Sequence, residues 1–257
     1  MRFLLGIDVE DPRPEEGSNV PALVATYLRF LGDREARATF FVVGEAARRF
    51  PSMVSDIAAE GHEIACHSDC HIPLDRMSPQ EFRDDLRRNR DALAHAGETM
   101  GYRAPCFSLT ERTRWAHAVL AEEGLLYSSS VLPAANPLYG WPGFGEAVRK
   151  VGGITEIPIS LLRRPRVPAA GGVYFRVLPQ FLRSGLRADP LVGYLHPYDI
   201  EPVRRVFAFP GFSRWSPMNL LLFANRRAVL PRLEALLDGG WEIGTYGDYV
   251  QGLSQPE

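Results

Sequence analysis

Short apolar stretches alternate with segments of helical periodicity along the first quarter of the chain. Residues 2–9, 38–44 and 62–66 are short, largely apolar runs, which predict buried strands. Apolar residues recur at helical spacing within 19–31. Residues 51–61 begin with proline and end with glycine, which favour the first turn and the end of a helix. The pattern therefore predicts alternating strands and helices.

The alternation continues after residue 66. The clearest helix follows Ser78, a predicted cap, with Glu81 three residues later and a stop at Gly97. Beyond it the pattern predicts a strand near 99–103, a helix near 110–123 and a strand near 125–131. A long loop over 133–153 is then followed by strands at 155–160 and 191–197. The last predicted helix lies within 226–240, and Pro231 is expected to delay its start.

Buried apolar strands joined by helices form a parallel sheet, and this many units favour an α/β fold closed into a (β/α) barrel. The chain has 257 residues, of which 46% are hydrophobic and 23% charged, which is ordinary globular composition. Because there is no internal repeat and no linker-like segment, residues 1–257 are predicted to form a single domain.

Charge gives no support to a nucleic-acid partner. The formal net charge is −2, and Lys and Arg form no long block. Arginines do cluster within 163–166 and at 204–205. These clusters predict solvated loops, or alternatively a binding site for phosphate or another acidic group.

The apolar residues at the amino terminus and the cysteines are relevant to the cellular compartment of the protein. The apolar run before Asp8 is too short for the core of a signal peptide or for a membrane span. We therefore expect a soluble, cytoplasmic protein without a transmembrane segment. Cys66, Cys70 and Cys106 are the only cysteines, and we expect free thiols that bind no metal.

Polar side chains follow several of the predicted strands. In a parallel α/β fold, the carboxyl ends of the strands lie at one face, where active groups collect. The residues at these ends are Asp8, Glu10 and Asp11 after the first strand, His67 and His71 after the third, Arg103 after the fourth, and His196 after a late strand.

The spacing of His67 and His71 suggests a metal site. If the segment after Cys66 turns helically, positions i and i+4 share a face and both imidazoles can reach one ion. Glu10 or Asp11 would supply a carboxylate, and water would complete a catalytic site. The alternative is that both histidines are ordinary polar loop residues. Strand alternation places Asp8 and Glu10 on the same side.

The order and spacing of these motifs resemble the polysaccharide deacetylases of the NodB-homology type, carbohydrate esterase family 4. The similarity covers about residues 8 to 250. Within the family, the chain looks most like the branch found in bacterial exopolysaccharide and O-antigen gene clusters. The motifs that carry the resemblance are "IDVED", the run "ATFFVVGEAARRFPSMVSDIAAEGHEIACHSDCH", "GYRAPCFS", "SSSVLP", "EIPIS", "AAGGVYFR" and "GYLHPYD".

The resemblance implies a distorted (β/α) barrel with one divalent metal ion, commonly zinc, held by an aspartate and two histidines. Carried over by position, His67 and His71 would be metal ligands and Asp8 the base that activates water. Arg103 would orient that base, His196 would protonate the leaving amine, and the Cys106 backbone N–H would stabilise the oxyanion.

Two departures from the family pattern leave alternatives open. The usual adjacent Asp-Asp pair is spread over "DVED", so the metal carboxylate could be Glu10 or Asp11. A shifted pairing would make Glu10 the base and Asp11 the ligand. Relatives often carry Asp at the position of Ser128, so a contact to the acidic histidine could be lost.

The leading hypothesis is a metal-dependent hydrolase that removes an N-acetyl group from an amino sugar in O-antigen or exopolysaccharide biosynthesis. Its substrate would be an N-acetylated sugar presented as a nucleotide-sugar or a lipid-linked glycan. One alternative is another hydrolase of non-peptide C–N bonds on the same fold. The other is a carbohydrate-binding relative that has lost catalysis.

Overall fold

A computed structural model describes residues 1–12, 18–136, 138–179, 188–202, 206, 208–209 and 212–253. The chain folds into one curled, mainly parallel sheet with helices packed on its outside, which confirms the predicted α/β fold with a distorted barrel. The strands are β1 (Arg2–Val9), β2 (Thr39–Val42), β3 (Glu63–Cys66), β4 (Gly101–Tyr102), β5 (Tyr127–Ser128), β6 (Arg149–Val151), β7 (Ile154–Glu156), β8 (Leu191–Leu195) and β9 (Glu242–Gly244).

The sheet has the order β6-β7-β5-β4-β3-β2-β1-β8, and only the β6–β7 pair is antiparallel. Strand β1 is central because it pairs with β2, β8 and β9. The gap between β8 and β7 is bridged by the irregular segment that follows β7. There Ser160 donates its N–H to the Val192 carbonyl, and Tyr194 donates to the Ala170 carbonyl.

The helices of the described residues cover the outside of the curl. They are α1 (Val20–Gly32), α2 (Gly44–Arg49), α3 (Pro51–Ala59), α4 (Pro79–Leu93), α5 (Ala116–Glu122), α6 (Gly172–Val177), α7 (Pro217–Leu221), α8 (Val229–Asp238) and α9 (Tyr246–Leu253). Helix α4 begins with the predicted capping box of Ser78 and Glu81. The chain leaves this region through Gly97 at φ +123°, a conformation that glycine adopts without strain.

Alternation along the strands separates two apolar clusters. Phe3 and Phe40 belong to a large cluster between the sheet and the helices. Leu4, Phe41 and Val192 belong to a smaller cluster on the inside of the curl, to which loop residues and α9 also contribute. Gly6 and Asp8 share the inner parity with Leu4, so the carboxyl end of β1 presents Asp8 to the inside.

Two predictions about the elements are wrong. The segment 133–153 is not wholly a loop, because β6 lies within it and pairs with β7 in a hairpin. Pro231 does not delay its helix, since α8 begins at Val229 and the proline occupies the first turn, where no intrahelical N–H bond is lost. The arginines at 204–205 lie outside the described residues.

We expect Gly6→Ala to destabilise the protein by about 1–3 kcal/mol, the usual cost of overpacking a core. A Cβ at position 6 would overlap the guanidinium of the buried Arg103. Gly244→Ala is the matched control in β9, because its Cβ would meet no heavy atom within 4 Å. The free energies of unfolding should be measured in urea. Equal free energies of unfolding for the two variants would contradict the close packing of Arg103 on β1.

Candidate metal centre and active site

A buried ion pair lies at the inner end of β1. Arg103 follows β4 and is fully buried, and its Nη1 donates to Asp8 Oδ1 at 2.6 Å. Its remaining donors bind the Ser129 carbonyl at 3.0 Å, the Ser129 hydroxyl at 3.1 Å and the Tyr246 hydroxyl at 2.7 Å. Burial alone would lower the pKa of Arg103, but the Asp8 carboxylate raises it, so the guanidinium stays charged. The expectation that Arg103 contacts Asp8 or Glu10 is confirmed at Asp8.

Three potential metal ligands converge beside this pair. The ligand atoms of Glu10, His67 and His71 all lie within 4.8 Å of one another. His67 Nδ1 lies 2.8 Å from the Arg103 carbonyl, so it donates there and leaves Nε2 for the cluster. His71 Nε2 contacts Glu10 Oε2 directly. One carboxylate and two imidazoles match the three-ligand set of a catalytic zinc site.

The two histidines do not meet on a helix face, so that part of the prediction is wrong. Residues 67–71 form an irregular turn in which Ser68 and His71 have φ values of 68° and 55°. Hydrogen bonds to α4 hold this turn: His67 N–H donates to Asn89 Oδ1 at 3.0 Å, and Asp69 N–H donates to Asp85 Oδ2 at 3.0 Å. The turn places the two imidazole centroids 5.1 Å apart.

The pKa values of the three groups in the cluster shift in different directions. Burial would raise the pKa of Glu10, but the adjacent His71, together with His196 and His67, holds it well below its usual value. Burial lowers the pKa of His67 to about 4, which keeps its imidazole neutral as a metal ligand must be. Burial acts the same way on His71, yet the Glu10 carboxylate outweighs it and raises the pKa.

The second candidate carboxylate, Asp11, points elsewhere. Its Oδ2 lies 3.7 Å from Arg49 Nη1, on the helix α2 side, and it is absent from the cluster of ligand atoms. Glu10 is therefore the carboxylate that the structure brings to His67 and His71.

His196 ends β8 and faces the same cluster. Its Nε2 lies 3.7 Å from Glu10 Oε1, and its Nδ1 lies 3.0 Å from Asp199 Oδ2. Arg176 Nε lies 3.2 Å from the other oxygen of Asp199. Burial would lower the pKa of His196, but the Asp199 hydrogen bond and charge raise it to about 8.

The sequence analysis did not identify three residues that contact the site, Asp199, Tyr198 and Arg176, although each lies in a motif that it quoted. Asp199 and Tyr198 belong to "GYLHPYD", and Arg176 belongs to "AAGGVYFR". Tyr198 donates its hydroxyl to Glu10 Oε1 at 3.1 Å and stacks on His196 with centroids 4.5 Å apart. An acidic residue three positions after a strand-end histidine was the available signal.

The departure at Ser128 does not deprive His196 of an acidic partner. Ser128 Oγ donates to Ser130 Oγ at 2.8 Å, while Asp199 supplies the carboxylate. The backbone after Pro105 is unusual, since Cys106 and Phe107 have φ values of 55° and 56°. No described residue accepts a hydrogen bond from the Cys106 N–H, so this donor remains available. All three cysteines are free thiols.

Comparisons with known proteins relate part of the chain to a known family. Residues 14–122 match the family model described as polysaccharide deacetylase. The resemblance predicted from the motifs is confirmed over this segment. Residues 129–244 match a second model, a domain of unknown function named DUF3473. Strands from both segments lie in the same sheet, because β8 and β2 both pair with β1.

Two curated relatives each match about a third of this chain. A peptidoglycan-N-acetylglucosamine deacetylase of Bacillus cereus is 33% identical over 89 residues, which cover 34% of this chain and 32% of that protein. A chitooligosaccharide deacetylase of a Bradyrhizobium species is 35% identical over 82 residues, 32% of this chain and 37% of that protein. The alignments thus span about a third of each relative.

The fold is shared over a wider range. A candidate polysaccharide deacetylase from Mycobacterium smegmatis superposes with a TM-score of 0.62 at 20% identity, covering 100% of this chain and 94% of that structure. Among the residues that the structure describes, no helix combines the length and apolar character needed to span a membrane.

We expect Glu10→Gln and His71→Ala to lower metal affinity by at least about tenfold, because each removes one of three ligands. Asp11→Asn is the matched control and should keep the metal, since Asp11 lies outside the cluster. Metal content should be measured by mass spectrometry after dialysis against a weak chelator. A loss in Asp11→Asn with retention in Glu10→Gln would reverse the assignment.

Proposed function

We propose that this protein is a metal-dependent de-N-acetylase that acts on an N-acetylated amino sugar. The observation that carries the proposal is the convergence of three groups at one end of the sheet. A carboxylate–imidazole cluster lies between a buried carboxylate held by arginine and a histidine held by aspartate. Metal-assisted amide hydrolysis needs a metal site, a base and an acid in this arrangement.

Glu10, His67 and His71 would hold one divalent ion, and zinc suits this donor set. When bound, the ion supplies Lewis-acid chemistry at the acetamide carbonyl. The neutral state of His67 supports this role, and so does the fixed orientation of its ring by the Arg103 carbonyl. Tyr198 orients Glu10 from the other side.

Asp8 is the proposed base. Arg103 binds Oδ1, so Oδ2 is the atom that we assign to take a proton from the attacking water. The hydrogen bond from the guanidinium fixes the orientation of the carboxylate. The assignment of Asp8 rather than Glu10 follows from their partners, because Glu10 lies among the imidazoles that would be metal ligands.

His196 is the proposed acid. With a pKa of about 8, its imidazole carries a proton near neutral pH. Asp199 occupies Nδ1, so Nε2 would donate the proton to the departing amine. Arg176 in turn holds Asp199. The Cys106 N–H, exposed by the left-handed turn after Pro105, would stabilise the oxyanion.

The presence of Asp199 argues against a relative that has lost catalysis, because the acid has its carboxylate partner despite Ser128. For the substrate, we propose an amino sugar in O-antigen or exopolysaccharide synthesis, carried as a nucleotide-sugar or lipid-linked glycan. By name, one of the curated relatives described above is a peptidoglycan-N-acetylglucosamine deacetylase and the other a chitooligosaccharide deacetylase, which supports the sugar class. The two matched segments would form one catalytic domain. The cytoplasmic location stays a prediction.

The function is tested by acetate release from N-acetylchitooligosaccharides and from uridine diphosphate N-acetylglucosamine. We expect His196→Ala to lose about 10²–10⁴-fold in rate, the usual worth of general acid–base catalysis, while its metal content is unchanged. His95→Ala, which alters an exposed histidine, is the control and should keep full activity. No acetate release by the metal-loaded native protein would favour the binding-protein alternative.

The rate should fall as pH rises through about 8, because His196 must be protonated to act as an acid. Asp199→Asn removes the partner that raises this pKa, so the alkaline limb should move down by about one pH unit or more. Asp56→Asn, at an exposed position of α3, should leave the profile unchanged. An alkaline limb at the same pH in Asp199→Asn would remove His196 from this role.

A further inference from the structure

A second concave site lies between the start of α5, the β6 hairpin and the loop that precedes it. Its volume is about 770 Å³, within the usual range for small-molecule sites. None of its lining residues belongs to the Glu10–His67–His71 cluster, the Asp8–Arg103 pair or the His196–Asp199 pair. We call it the basic cavity.

The basic cavity is lined by four cationic side chains. Arg112 and Arg114 come from the turn before α5, and Arg149 and Lys150 come from β6. None of them has an acidic partner among the described residues, and no lining residue is acidic. Uncompensated cations in a concavity concentrate positive potential, which favours a ligand of high negative charge. Arginine forks match phosphate oxygens especially well.

Aromatic rings form the remaining wall. Trp115, Trp141 and Phe144 line the cavity, and the Trp141 and Phe144 rings have centroids 4.9 Å apart. The Arg149 guanidinium lies 3.9 Å from the Phe144 centroid, which fixes the cation beside the ring. Aromatic faces next to arginines suit a ligand that carries a ring together with its negative groups.

We propose that the basic cavity binds a diphosphate joined to a sugar ring. The cations take the diphosphate, and the aromatic residues pack on the ring. Nucleotide-sugars and lipid-linked sugars both carry this group. The site does not depend on the proposed hydrolase activity, because it shares no residue with the metal cluster.

Binding is tested by calorimetry on the full-length His71→Ala protein, because diphosphates also bind metal ions. The probes are uridine diphosphate N-acetylglucosamine, inorganic pyrophosphate and neutral N-acetylglucosamine. We expect the first two to bind and the neutral sugar to give no signal at this site. Tighter binding of the nucleotide-sugar than of pyrophosphate would support recognition of a ring beside the diphosphate. Uridine diphosphate then separates the two rings: binding no better than pyrophosphate would assign the sugar, and binding as tight as the nucleotide-sugar would overturn the assignment to a sugar. Equal binding of pyrophosphate and the nucleotide-sugar would overturn ring recognition.

The charge-reversal variants Arg112→Glu and Lys150→Glu, made in the same background, should each weaken diphosphate binding about tenfold or more. Arg29→Glu makes the same change on an exposed face of α1 and should have no effect. If a reversal disturbs folding, Arg112→Gln and Lys150→Gln replace it, with loss of binding at high salt as a second readout. Absent binding, or binding that is unaltered in both variants, would overturn the proposal.

Discussion

The interaction on which the structure depends most is the buried pair of Asp8 and Arg103. Two charges inside a protein are tolerated only when each is paired and hydrogen-bonded, and removal of one partner costs about 3–5 kcal/mol. Here the guanidinium is satisfied by Asp8, Ser129 and Tyr246, which come from separate parts of the chain. The pair therefore ties β1 to the ends of β4 and β5 and to α9. It also accounts for the glycine at position 6, which leaves room for the guanidinium.

The same arginine connects the core to the metal cluster through its backbone. Its carbonyl orients His67, while α4 holds the turn that returns His71 to the cluster. Burial in this confined space lowers the pKa of His67, whereas Asp199 raises that of His196. Near neutral pH the His67 imidazole is thus neutral and the His196 imidazole is protonated. The proposed roles of metal ligand and proton donor require this difference.

The two matched family segments contribute different residues to the candidate site. The first supplies His67, His71 and the buried arginine, and the second supplies His196 with its partners Asp199 and Arg176. Tyr198 of the second segment stacks on His196 and hydrogen-bonds to Glu10, which precedes the first segment. Pairing of β8 with β1 brings His196 to the cluster, so the proposed site draws on both segments. The basic cavity likewise combines them, with α5 from one and β6 from the other.

The sequence by itself determined the elements that rest on local rules. The apolar run of β1, the capping box at Ser78 and the polar residues at strand ends are local signals, so the alternating α/β order followed from them. Tertiary structure alone decided between Glu10 and Asp11, shaped the non-helical turn that joins His67 to His71, and brought Asp199 to His196. Tertiary structure also decided β6. Its residues Arg149 and Lys150 are exposed and basic and show no strand pattern in the sequence, and the strand is defined by its pairing with β7. These features depend on contacts between distant segments and on positive backbone angles that the fold enforces, and residue spacing does not encode either.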